Sequence, residues 1–136
     1  MNTSRIRSDH DALYASMGEL RRLVQADVAG NAAALFAELR KLDATIRLHL
    51  AIEDRMLYPA LAGASDPQVA AAGRRFQHEM GGLAAAYDDF AARWDSAPRI
   101  AAAPGPFGRE AADLLDALHA RIRHEDCELL PLAEAL

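Results

Sequence analysis

Apolar residues recur along most of the chain in alternating steps of three and four, the spacing that lines one face of an α-helix. Four segments carry this pattern. Ile6, Leu13, Met17, Leu20 and Val24 form the first stripe, and Leu35, Leu39, Leu42, Ile46, Leu50 and Leu57 the second. Phe76, Met80, Leu83, Tyr87, Phe90 and Trp94 form the third, and Leu115, Leu118, Ile122, Leu129 and Leu132 the fourth. Ser8 followed three residues later by Asp11 reads as a capping box, so the first helix is expected to begin near Ser8. Ala29-Gly30-Asn31 supplies a stop, a glycine suited to ending a helix and a new N-cap. The second helix is expected from about residue 32 to Tyr58, with Pro59 marking its end. Ser65-Asp66-Pro67 restarts the chain, and the stretch from Ala97-Pro98 to Pro104-Gly105-Pro106 reads as a loop. Four such helices with short connections predict an all-α fold, an antiparallel up-down four-helix bundle, as a single domain over residues 1–136.

The chain also echoes itself at a displacement of 72 residues. Ile46 to Asp54 falls on Leu118 to Asp126, and Leu57-Tyr58-Pro59 falls on Leu129-Leu130-Pro131. The second and fourth helices therefore end alike, in an acidic pair followed by Leu-x-Pro. A helix pair is used twice.

Composition agrees with helix and narrows the function. Hydrophobic residues make up 51% of the 136, enough for a core, and aromatics only 6%. The formal net charge of -5 and pI near 5.5 disfavour nucleic-acid binding. The one cysteine, Cys127, permits no internal disulfide, and its acidic neighbours disfavour a reactive thiolate. Charged residues near the N-terminus and the lack of any apolar run near the roughly 20 residues a bilayer demands predict a cytoplasmic protein with no membrane association.

Helical phase then sorts the polar residues. His49 and Glu53 lie one turn apart within or beside the second stripe. His10 lies on the Leu13–Met17 side of the first helix, and Glu125 near the middle of the fourth stripe. Imidazoles and carboxylates on an apolar stripe are costly unless paired or metal-bound. A single inward histidine is more often a hydrogen-bonded core residue than a ligand, but here three helices converge. Mixed imidazole and carboxylate donors suit iron or manganese in a bundle core.

These residues resemble the hemerythrin-like HHE cation-binding family. His10-Asp11-Ala12-Leu13 is similar to its opening motif, His49 to Pro59 to its helix-two signature, and Glu125 to Pro131 to the close of its helix-four signature. The resemblance covers almost the whole chain. It implies a non-haem di-iron centre; the donor set read from the residues leaves manganese or zinc, and one metal or two, open. It implies binding or sensing of dioxygen, nitric oxide or peroxide, or iron handling, by a binding protein rather than an enzyme.

Two positions depart from the family pattern. Arg121 stands four residues before Glu125, where a histidine is expected, and a guanidinium has no lone pair to offer. It is expected to pair with Glu53 or Glu125 inside the bundle. His124 and Glu128 have ligand spacing but the wrong phase, which a kink before Pro131 would have to correct. In the third helix His78 lies opposite the stripe. Glu79 lies at its flank, beside Gly81 and Gly82, whose missing side chains leave room for another group. The expected metal ligands are thus His10, His49, Glu53, Glu79 and Glu125. The competing expectation is a metal-free interaction or regulatory module in which Arg121 supplies the positive charge and Trp94 a homodimer contact.

Overall fold

A computed structural model describes residues 1–136. Four long helices form an antiparallel up-down bundle: α1 (Ser4–Ala26), α2 (Ala32–Ile52), α4 (Pro67–Arg93) and α6 (Pro104–His124). Three short helices complete it: α3 (Tyr58–Ala62), α5 (Ala97–Ala102) and α7 (Leu130–Glu134). There are no strands. No helix is long and apolar enough to cross a membrane.

The predicted start at Ser8 is corrected. α1 begins at Ser4, more than one turn earlier, because Ile6 is buried and the Thr3 hydroxyl donates to Glu134 at 2.6 Å. Pro59 does not end the second helix either. A π turn, Glu53–Leu57, joins α2 to α3, and the Tyr58 N–H donates to the Glu53 carbonyl five residues back. The same device recurs at Glu125–Leu129, where the Leu130 N–H donates to the Glu125 carbonyl. Each proline sits at the start of the next short helix, where its missing N–H breaks no regular ladder. The extra residue in each π turn rotates the succeeding short helix, so Tyr58 and Leu61, like Leu130 and Ala133, turn inward. The predicted loop after Trp94 holds α5, capped by Ser96 Oγ accepting from the Arg99 N–H at 3.2 Å.

The interior is divided in two. A large apolar cluster occupies the end lined by Leu20, Leu35, Leu42, Phe90 and Phe107. A smaller one, built on Ile6, Leu57, Tyr58, Leu61, Phe76 and Leu129, lies at the end beyond the π turns. The buried polar residues His10, His49, Glu53 and Glu125 belong to neither cluster. Trp94 is not the exposed contact expected for a dimer: it is buried, and its indole N–H donates to Glu110.

Candidate metal centre

α1 supplies His10, α2 supplies His49, and the two π turns open on Glu53 and Glu125. All four are at most 2% exposed. One donor atom from each lies within 4.8 Å of the others.

The two imidazoles are held from behind by carboxylates. Asp126 Oδ1 accepts from His10 Nδ1 at 2.6 Å, and Asp9 Oδ2 from His49 Nδ1 at 3.3 Å. These partners place the Nδ1 hydrogens outward, so in the neutral tautomers both Nε2 atoms carry lone pairs. The Nε2 atoms face each other at 3.1 Å. His49 Nε2 is also 2.8 Å from Glu53 Oε1, and His10 Nε2 is 3.3 Å from Glu125 Oε2. Both Glu53 oxygens and Glu125 Oε2 are buried with no aligned hydrogen-bond donor. Four lone-pair donors thus converge with too few protons among them. Opposed lone pairs in a low-dielectric layer repel unless a proton or a cation stands between them. A carboxylate behind each imidazole is also the usual support of a metal-binding histidine.

Electrostatics tell the same story. Burial, reinforced by the negative charge of Glu125, pushes Glu53 well above the usual carboxylate range. Burial would raise Glu125 too, but contact with His10 and Glu53 outweighs it and holds Glu125 low. Burial works against the charged form of His10, yet its contacts with Glu125 and Asp126 prevail and raise its pKa. Glu53 and His10 therefore keep their protons to higher pH than an ordinary carboxyl or imidazole. Tyr58 is buried and donates its hydroxyl to Glu125 Oε1 at 3.3 Å. Tyr14 donates to Asp126 Oδ2 at 3.1 Å, and its pKa is pushed up to about 12, first by burial and then by the Asp126 charge.

The structure brings together four of the five expected residues and leaves Glu79 out. Glu79 lies on the exposed face of α4 and pairs with Arg121. Gly81 and Gly82 are likewise exposed, with no group approaching them. All three turn to solvent because Phe76, Met80, Leu83 and Tyr87 claim the inside. Arg121 is also corrected. It does not reach Glu53 or Glu125. Its guanidinium lies 4.3 Å from the centre of the Phe76 ring and points outward to Glu79 and to His124 Nδ1, the latter at 2.9 Å. His78 is exposed. So are His124 and Glu128, which contact each other at 2.7 Å outside the bundle. The kink before Pro131 that would have had to swing His124 inward is present as the second π turn, but it begins at Glu125, after His124, and leaves His124 outside.

Sequence reasoning missed Asp9, Asp126, Tyr14 and Tyr58. Asp126 carried a signal, as the second acid of the repeated Glu-Asp pair. Asp9, beside His10 in sequence, serves His49 on the neighbouring helix, and no spacing rule within one helix reports that.

Fold and donor set together define a class, the helical bundles with a buried cation-binding cluster. The chain belongs to the hemerythrin HHE cation-binding domain family, whose model matches residues 1–133. No curated protein and no solved structure matched the chain.

Proposed function

We propose that this protein binds a transition-metal cation through His10, His49, Glu53 and Glu125, with iron as the metal, and that it handles a small molecule such as dioxygen, nitric oxide or peroxide there. The observation that carries the first part is the pair of imidazoles facing each other through Nε2 at 3.1 Å, each backed by a carboxylate at Nδ1. Two nitrogen and two carboxylate donors without a thiolate suit iron, manganese or zinc, and family membership favours iron. Bound iron would supply reversible one-electron chemistry and a coordination position for the small molecule. The chain's own residues hold and orient the donors: Asp9 and Asp126 fix the two imidazole planes, and Tyr58 fixes Glu125.

The small-molecule part rests on the wall beside His49. A cavity of about 20 Å³ adjoins that imidazole, lined by Leu13, Ile46, Leu50, Met80, Leu83 and Ile122 among others. A space of that size holds about one water-sized molecule. Its apolar lining favours a neutral diatomic over an ion.

The competing metal-free module loses its main support, because Arg121 does not neutralise the buried carboxylates. Anaerobic loading with ferrous iron, removal of the excess and metal analysis test the proposal. At least one tightly held equivalent per chain is expected, lost in His49→Ala. Iron well below one equivalent, unchanged by His49→Ala, would overturn it.

A further inference from the structure

The two halves of the bundle correspond in register, and the second half lacks groups that the first half has. α2 and α6 begin 72 residues apart, at Ala32 and Pro104, and their π turns begin at Glu53 and Glu125. The buried positions match: Leu35 and Phe107, Leu42 and Leu114, Ile46 and Leu118, Leu57 and Leu129. α1 and α4 match at a displacement of 70. Ile6, His10, Leu13, Met17 and Leu20 correspond to Phe76, Met80, Leu83, Tyr87 and Phe90.

In this register the donors His10, His49 and Glu53 correspond to Met80, Arg121 and Glu125. The supporting residues correspond as well. Asp9, which backs His49, maps onto Glu79, which pairs with Arg121. Asp126, which backs His10, maps onto Asp54, which is exposed and faces no imidazole. Tyr58, the donor to Glu125, maps onto Leu130, which has no hydroxyl to give Glu53. The second half therefore keeps its glutamate and its acidic support but has lost both imidazoles.

Resting on the reading that the cluster binds a cation, we infer that this chain holds one metal ion rather than a bridged pair, because Met80 and Arg121 stand at the two imidazole positions of the second site. A second ion would have to share Glu53 and Glu125 with the first and would find no nitrogen donor of its own. A thioether is a poor ligand for ferrous iron, and a guanidinium is none. Arg121 also brings a fixed positive charge to that side. Its Nε is buried and its side chain only 12% exposed, but its guanidinium is held by Glu79, so it fills the position without serving the cluster. Two divalent ions would carry twice the charge of the two buried carboxylates, whereas one ion balances the pair.

The test is stoichiometry. The protein, freed of metal by chelation, is titrated anaerobically with Co²⁺. Uptake is followed by metal analysis after gel filtration and by the visible absorption of protein-bound cobalt. The native chain is expected to saturate at one equivalent. Met80→His combined with Arg121→His is expected to saturate at two, with unchanged helical circular dichroism. Two buried equivalents in the native chain overturn the single-ion inference and leave the binding proposal standing. None overturns the binding proposal itself. A folded double variant that still saturates at one shows that these are not the missing positions. If the double variant does not fold, Arg121→His alone is titrated, and a second, weaker equivalent is expected of it. Saturation at one counts against the assignment of Arg121.

Discussion

The turn that opens on Glu53 and the turn that opens on Glu125 share their backbone. Each is a π turn of five residues with a buried glutamate at its head and a proline two residues past its end. One turn before Glu53 stands His49, aimed inward; one turn before Glu125 stands Arg121, aimed outward. Helix, π turn and proline are thus indifferent to what the site does. The residue four before each glutamate decides whether that half offers the cluster an imidazole or forms a salt bridge with Glu79. The contrast also separates the glutamates. Each has an imidazole beside it, but only Glu125 also has a hydroxyl donor, Tyr58, and is held low, whereas Glu53 has two buried oxygens without an aligned donor and is pushed up.

The largest expected difference comes from that inequality. In the metal-free protein Glu125→Gln removes the anion that His10 faces, and a broken buried pair costs about 3 kcal/mol. Glu53→Gln removes no aligned bond, and its amide can donate where the carboxylate could not, so it should cost under about 1 kcal/mol. Chemical denaturation of both variants checks this, and equal losses would remove the asymmetry.

Metal then reverses the ranking of the two helices. At a hundredfold excess over Kd a bound cation stabilises the fold by about 2.7 kcal/mol. We expect the cation-dependent rise in Tm to vanish in His49→Ala and to survive in Arg121→Ala. The latter should cost the metal-free protein only about 1 kcal/mol, through lost contact with the Phe76 ring. A rise abolished by Arg121→Ala would place that residue at the cation after all.

The smallest effect sharpens the comparison where the bundle closes below the site. Thr3 and Arg7 both bond Glu134, and in the repeat Thr3 and Glu134 correspond to Gly73 and Ala62, neither of which has a polar side chain. Arg7 first, then Thr3, lowers the Glu134 carboxyl from 4.5 to about 2. A lowered carboxyl stabilises the fold above its unfolded value and loses that contribution as pH falls from about 4.5 through about 2. Glu134→Gln should therefore lower Tm slightly at pH 6 and not at pH 2. An equal drop at both would mean that packing, not charge, matters there.

The bundle and most of the cluster were legible because both derive from period. Steps of three and four placed His10, His49, Glu53 and Glu125 among apolar neighbours, and the structure buries all four. Period failed where the backbone stops being regular or where a long side chain chooses its own direction. Pro59 reads as a stop, yet a π turn had already released the hydrogen bond it would break. Arg121 occupies an inward phase, but its reach lets the guanidinium leave the core and find Glu79 and His124. Glu79, at the flank of its stripe, goes with it to the surface. Asp9 gave no signal as a support, and the repeated Glu-Asp pair pointed to Asp126 without its role, because each serves a histidine on another helix.

The most direct test of the centre is the position of the ion itself. Crystals grown with Co²⁺ and measured near the cobalt absorption edge are expected to show one strong anomalous peak per chain, within bonding distance of His10 Nε2, His49 Nε2 and carboxylate oxygens of Glu53 and Glu125. A peak only at the exposed His124–Glu128 pair, or none in the bundle core, would contradict the account.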